Sequence, residues 1–132
     1  MLSGGEGDDT LNSGEGGGFL SGGAGNDTFV FDATSGTGLG TNTISDWNTG
    51  DKLDFSGLIT DSATTLAALV AKDAVDIFFF IGGNQQPAGT RITIHANVTG
   101  GSEDTRIFVT GLEYIGEAAT ATALDNSGGV IL

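Results

Sequence analysis

The sequence predicts an all-β protein in which an array of short repeats leads into a compact, β-sandwich-like module with one short helix. Three observations support this prediction. Apolar residues recur every nine positions at the start of the chain, at Leu2, Leu11, Leu20 and Phe29. The remainder alternates short apolar runs with turn signals, which is typical of β-structure. The 132 residues include no Cys, so a disulfide framework is excluded and some other stabilising element is needed.

The repeat is a nonapeptide that occurs twice in full and once in a reduced form. Residues 4–12 read GGEGDDTLN and residues 22–30 read GGAGNDTFV, whereas residues 13–21 read SGEGGGFLS and lack the first Gly and the Asp. The last three positions alternate polar and apolar, as a very short strand with one buried side chain would. Two units then make one coil of eighteen residues with strands on opposite sheets, and loop 4–9 lies beneath loop 22–27. A flexible linker would have no reason to keep this phase.

The charge distribution points to a missing cation. The formal net charge is −13, which argues against a nucleic-acid partner because binding to phosphate requires Lys and Arg. Residues 1–51 carry no basic residue, and without counter-ions such a glycine-rich segment would repel itself and stay disordered. Its eight acidic residues are Glu6, Asp8, Asp9, Glu15, Asp27, Asp32, Asp46 and Asp51.

The chemistry of the two full repeats favours Ca²⁺ as that cation. Glycine adopts positive φ readily, so each loop can turn several carbonyl oxygens inward, and a hard cation takes six to eight oxygen ligands. One loop is half a cage, and a Ca²⁺ between the two loops would complete it. In the middle unit Gly18 replaces the carboxylate, so no second full site is expected there. The candidate ligands are the side chains of Asp9 and Asp27 and, mostly through backbone carbonyls, Gly4, Gly5, Glu6, Gly7, Gly22, Gly23, Ala24 and Gly25.

Beyond the repeats the sequence predicts a series of short elements. A turn at residues 48–51 separates apolar positions around Ile44 and Trp47 from those at Leu53 and Phe55. N-cap residues at 60–62 predict a helix near 63–74, and the run DIFFFI at 76–81 predicts a buried strand that is too short to span a bilayer. A loop at 82–90, strands at 91–98 and 106–110 with a turn at 99–104, and a segment at 118–124 that remains open between helix and loop complete the chain.

Two stretches carry a resemblance to a known family. The repeats run into NDTFVF at 26–31, and residues 44–58 read ISDWNTGDKLDFSGL. This order resembles the C-terminal type I secretion target domain of RTX (hemolysin-type calcium-binding repeat) proteins, found in large RTX adhesins and secreted RTX enzymes, and it covers nearly the whole chain. The resemblance implies a short parallel β-roll (β-helix) over residues 1–36 and a C-terminal target or capping module over residues 37–132.

The sequence departs from the family pattern at two positions. Trp47 stands where Phe is common, and Asn42 stands where an Asp often precedes the Ile, so a carboxylate that sometimes helps to close the last calcium site is missing. Asp46, Asp51 and Asp54 match the pattern. Asp51 is therefore a further candidate ligand, with turn-capping and solvated charge as the alternative interpretation for all three aspartates.

The resemblance implies a non-catalytic, calcium-binding region of a secreted bacterial protein, located outside the cell or at its surface. It would pass unfolded through a type I secretion transporter and fold on extracellular Ca²⁺. The C-terminal export signal would include Val130, Ile131 and Leu132, with Gly129 where many relatives have an acidic residue. The alternative is a calcium-stiffened accessory module of a secreted lyase, epimerase or adhesin that binds a glycan or surface ligand.

The sequence offers little support for an enzyme or for membrane insertion. His95 is the single histidine and has no evident Cys, Ser or Asp partner, so neither a multi-His zinc site nor a catalytic base is indicated. A piece of the catalytic body of an RTX enzyme is accordingly the weakest of the three interpretations.

Overall fold

The computed structural model describes residues 1–14, 17–32, 41–60, 62, 65–82, 88–95 and 104–132. These residues are mostly β, with ten strands and two helices. The elements in chain order are β1 (Leu2–Glu6), β2 (Thr10–Asn12), β3 (Phe19–Ala24), β4 (Thr28–Asp32), β5 (Thr41–Ile44), β6 (Lys52–Gly57), α1 (Leu66–Ala71), β7 (Val75–Phe80), β8 (Gly89–Ile94), β9 (Thr105–Val109), α2 (Glu117–Ser127) and β10 (Val130–Ile131).

Consecutive strands at the start of the chain alternate between two sheets. Strands β1, β3 and β5 lie in the six-stranded sheet, whereas β2, β4 and β6 lie in the four-stranded sheet. All of their pairings are parallel. Leu2 lies opposite Leu20 and Leu11 lies opposite Phe29, so the predicted eighteen-residue offset is confirmed. The offset grows to 24 residues between β4 and β6, where Phe29 lies opposite Leu53.

The six-stranded sheet is mixed, in the order β1-β3-β5-β9-β8-β7. Strand β9 pairs parallel with β5, but β8 runs antiparallel to both β9 and β7. The four-stranded sheet, in the order β10-β6-β4-β2, is parallel throughout. Because β3 pairs with β5 and β4 pairs with β6, both sheets extend across the predicted boundary at residue 36.

The hydrophobic core contains the inward-facing side chains of both sheets together with one side of each helix. In β4 and β6, Phe29, Phe31, Leu53 and Phe55 are fully buried. The rings of Phe31 and Phe55 have centroids 5.6 Å apart. Burying one such side chain contributes about 1.5–3 kcal/mol to folding, and the strand alternation predicted from the sequence selects these residues.

The helices differ from the prediction of one helix near residues 63–74. Helix α1 has only six residues and begins after Thr65, whose side chain accepts a hydrogen bond from the Ala68 N–H; residues 61, 63 and 64 lie outside the described part of the chain. The eleven-residue helix α2 includes the segment that the sequence left open. Its Asp125 accepts hydrogen bonds from the backbone N–H groups of Leu66 (2.8 Å) and Ala67 (2.9 Å). These contacts link the two helices.

The prediction of a buried strand at 76–81 is wrong in its second half. Val75 and Ile77 face the core, but Phe78, Phe79 and Phe80 are between 40% and 50% exposed, and Ile81 is 84% exposed. These side chains are exposed because β7 is the last strand of the six-stranded sheet. Among the described residues no helix has the length and apolar character needed to cross a membrane.

Candidate metal centre

Three aspartates form a column along one edge of the four-stranded sheet. Asp9, Asp27 and Asp51 each immediately precede one of its strands, β2, β4 and β6. The Asp9 N–H donates to Oδ1 of Asp27 at 2.9 Å, and the Asp27 N–H donates to Oδ1 of Asp51 at 3.0 Å. Parallel pairing therefore brings together carboxylates that are 18 and 24 residues apart in the chain.

Two oxygens of this column are buried without a partner. Oδ2 of Asp9 and Oδ2 of Asp27 are shielded from solvent and accept no hydrogen bond from any protein group. Asp27 as a whole is only 1% exposed. Buried polar atoms in folded proteins are nearly always paired, and an uncompensated carboxylate is costly. The two oxygens are therefore candidate ligand atoms.

The glycines allow the two loops to stack closely around these oxygens. Gly5 and Gly23 occupy equivalent positions with φ of 109° and 102°, a region that favours glycine. A Cβ on Gly23 would collide with the carbonyl oxygen of Gly5, and one on Gly25 would collide with that of Gly7. Similarly, a Cβ on Gly22 would overlap with Oδ2 of Asp27. Backbone carbonyls thus come as close to the neighbouring loop as the absence of side chains permits.

The structure places the ten predicted repeat ligands in two neighbouring segments, but the predicted loops are wrong in their first half, because residues 4–6 and 22–24 belong to the paired strands β1 and β3. Gly5 lies opposite Gly23 and Glu6 lies opposite Ala24, while Gly7 N–H donates to the Ala24 carbonyl at 2.7 Å. The Glu6 side chain is exposed, so the candidate ligand atom of Glu6 is its backbone carbonyl oxygen. The described residues contain no group of three or more His, Cys, Asp or Glu side chains suited to a metal, so a cation at this place would need backbone carbonyls in addition to the two carboxylates. This oxygen-only set is the kind that Ca²⁺ takes.

Asp51 lies in the same column but has a different environment. Its Oδ2 accepts from Asn48 N–H at 2.7 Å, so both of its oxygens have protein donors, and Asp51 N–H donates to the Asn48 carbonyl at 3.1 Å. Asp51 therefore caps the predicted turn, and at 2% exposure it is not a solvated charge. Burial raises the pKa of Asp51; hydrogen bonds from the backbone of Asp27 and Asn48 oppose the rise, and the charges of Asp27 and Asp46 add to it.

Asp46 and Asn48, which follow β5, form hydrogen bonds with residues 21–23 of the second loop, a role that the sequence did not predict. The Asp46 carboxylate accepts from Ser21 Oγ (2.7 Å), Gly22 N–H (3.1 Å) and Gly23 N–H (2.9 Å). Asn48 Nδ2 donates to the Gly23 carbonyl at 3.1 Å. The available signal was the match of Asp46 to the family pattern.

Asn42 and Asp54 are not part of the aspartate column. Asn42 is fully buried in β5, and neither of its amide atoms has a hydrogen-bond partner. Glu15 and the segment 33–36, both considered in the sequence, are outside the described residues. Asp54 instead accepts hydrogen bonds from the N–H and hydroxyl of Ser56.

His95 has partners that the sequence did not reveal. Its Nε2 lies 2.9 Å from Oδ2 of Asp76, and its Nδ1 lies 3.3 Å from Oδ2 of Asp104. The expectation that His95 lacks an Asp partner was therefore wrong. Burial by itself lowers the pKa of His95, but the hydrogen bonds and charges of Asp76 and Asp104 outweigh it and raise the pKa above the usual 6.5.

Two of the three C-terminal residues, Val130 and Ile131, form the last strand of the four-stranded sheet. Val130 lies opposite Leu53 in parallel pairing, and Leu53 N–H donates to the Gly129 carbonyl at 2.8 Å. Ile131 is 37% exposed, and Val130 and Leu132 are half-buried.

The chain was also compared with known proteins. No protein-family model matches it, and no curated protein matches it significantly.

Proposed function

We propose that this chain is a non-catalytic, calcium-binding region of a secreted bacterial protein, built at its start as a short parallel β-roll. The observation that carries the proposal is the pair of buried, unpartnered Oδ2 atoms on Asp9 and Asp27. They lie in loops that stack with an eighteen-residue offset and whose glycines leave room for close approach. Buried carboxylate oxygens beside closely stacked backbone are what an oxygen-ligated cation such as Ca²⁺ would require.

One Ca²⁺ would be held between loops 4–9 and 22–27. Asp9 and Asp27 would contribute carboxylate oxygens, and the glycine-rich loops would contribute carbonyl oxygens. The ion supplies positive charge that offsets the repulsion among carboxylates. The chain's own residues provide the rest: parallel pairing sets the separation of the loops, and Asp46 with Asn48 holds the second loop in place.

Folding that depends on calcium would be consistent with a secreted protein. Extracellular calcium modules bind in the range of about 10⁻⁴–10⁻³ M, so such a site would be filled outside a cell and nearly empty inside it. Residues 1–51, which carry no basic side chain, would be the part most dependent on the ion. The chain would therefore cross a type I transporter unfolded and fold after export, with the export information from about residue 106 onward, including Val130, Ile131 and Leu132.

A calcium titration of the whole chain tests the proposal. Circular dichroism should show β-structure and melting temperature rising with Ca²⁺, because a ligand that binds only the folded state stabilises it by mass action. Hydrogen exchange should place the gain in protection mainly within residues 1–51, with Mg²⁺ at equal concentration as the control. Equal protection of the repeats in calcium and in EGTA would contradict the proposal.

A further inference from the structure

A cleft of about 590 Å³ lies between the turn at residues 48–51, the segment 111–115 and helix α2. Its size is within the range of small-molecule sites, about 300–1,000 Å³. Trp47, the single tryptophan of the chain, lines it together with Leu112 and Ile115, and polar groups are contributed by Asn48, Thr49 and Glu113. We propose that this cleft binds a neutral sugar residue, packed against the indole ring of Trp47.

The charges of the lining exclude an anionic ligand. Among the described residues that line it, Asp51 and Glu113 are the only ionisable side chains, and none is Lys, Arg or His. A cation is also a poor match. Both oxygens of Asp51 already accept backbone N–H groups, which leaves Glu113, an exposed residue. A single exposed carboxylate attracts a cation only weakly. The lining therefore favours an uncharged ligand.

The remaining groups suit a ligand with one apolar face and several hydroxyls. The half-buried indole of Trp47 contacts the Phe29 ring, with centroids 6.3 Å apart and ring planes inclined by 31°. A flat aromatic surface can bury the C–H face of a pyranose ring, which is the largest apolar surface that a sugar offers. The Thr49 hydroxyl can both donate and accept hydrogen bonds, as sugar hydroxyls do, and the Asn48 amide oxygen can accept them, since both amide hydrogens of Asn48 are already donated within the protein.

The rim of the cleft is fixed before any ligand arrives. Asn48 Nδ2 donates to the carbonyls of Gly23 (3.1 Å) and Asp46 (2.9 Å), and the Trp47 N–H donates to the Thr110 carbonyl at 3.1 Å. On the opposite side, Ile115 N–H donates to Oγ1 of Thr120 in α2 at 3.0 Å. Such preorganisation lowers the entropic cost of binding.

The test uses the whole chain in millimolar CaCl₂. The protein is applied to an array of neutral and acidic oligosaccharides, and it is then titrated with maltose, cellobiose and lactose. We expect at least one neutral glycan to bind saturably and to change the emission of Trp47. By calorimetry with that glycan, Trp47→Phe should weaken binding by about tenfold or more. Thr49→Ala, at an exposed position, should weaken binding without affecting folding.

Phe78→Ser is the matched control, because Phe78 is an exposed aromatic residue on β7 and does not line the cleft. This variant should leave the dissociation constant unchanged. Binding of acidic glycans alone, binding of none, or a loss of binding in Phe78→Ser with none in Trp47→Phe and Thr49→Ala would overturn the proposal. Because calcium affinity is measured separately, failure of the sugar site leaves the calcium proposal standing, and the reverse also holds.

Discussion

The backbone N–H of Asp9 donates to Oδ1 of Asp27 across the parallel sheet, at 2.9 Å. This contact uses one oxygen of the Asp27 carboxylate and leaves Oδ2 buried without a partner. Asp27 repeats the relationship with Asp51, but there both carboxylate oxygens have donors. At one end of the column both carboxylate oxygens of Asp51 therefore have donors. Where the two full repeats meet, Asp9 and Asp27 each keep one oxygen without a donor.

The first prediction concerns Asp9→Asn and Asp27→Asn. Each change keeps an oxygen for the observed hydrogen bonds but removes charge from the centre, so each should weaken Ca²⁺ binding in calorimetry by about tenfold or more. The double variant should be little worse than either single one, because residues that share one ion are not additive. Asp8→Asn is the control, since Asp8 is exposed, accepts the Asn26 N–H at 2.8 Å and should matter much less. Additive losses would indicate two separate ions.

In EGTA the same Asp27→Asn variant should behave differently. Removing an uncompensated buried charge should leave the melting temperature unchanged or raise it, although the rise produced by calcium is lost. A purely structural aspartate would instead lower stability under both conditions. Thermal unfolding with and without calcium separates the two roles.

A second prediction compares Gly23→Ala with Gly5→Ala. The residues have similar φ, 102° and 109°, so both changes incur the strain of a left-handed conformation, about 1–2 kcal/mol. At Gly23 the added Cβ also collides with the Gly5 carbonyl, whereas nothing lies within 4 Å of a Cβ on Gly5. Urea unfolding should therefore show a larger loss for Gly23→Ala. Equal losses would mean that the loops do not stack this closely.

A third prediction addresses the link between the helices. Asp125→Ala removes the acceptor for the Leu66 and Ala67 N–H groups, and the free energy of unfolding should fall by about 1–3 kcal/mol. The neighbouring Asn126 is exposed on the same helix, so Asn126→Ala serves as the control and should have little effect. A negligible loss in Asp125→Ala would show that α1 does not depend on this cap.

A fourth prediction is a pH dependence centred on His95. Asp76 and Asp104 raise its pKa in the folded state, so its contribution to stability is fully present below the unfolded pKa of about 6.5 and is lost as pH rises through the folded value. Melting temperatures measured in saturating calcium between about pH 5.5 and 8.5 should fall for the native chain relative to His95→Gln. Parallel curves for the two proteins would rule out this linkage.

The sequence alone was sufficient for features that depend on a local period. The nine-residue phase identified Leu11, Leu20 and Phe29 as buried positions, but Leu2, at the same place in its unit, is 43% exposed because β1 is an edge strand. The same phase predicted the eighteen-residue pairing of β1 with β3. It also placed Asp9 and Asp27 in stacked loops. These inferences succeed because a repeat imposes one backbone geometry on each unit, so that a residue's position in the unit determines its surroundings.

Other features depended on contacts between distant parts of the chain. Whether the aromatic run on β7 is buried depends on which strand lies beside it, and β7 is at the sheet edge. Asp125 caps a helix 59 residues away, and His95 meets Asp76 through antiparallel pairing rather than through any motif. The cleft beside Trp47 exists only because α2 packs near the turn at 48–51. Periodicity describes one element at a time, and only tertiary packing decides which elements meet.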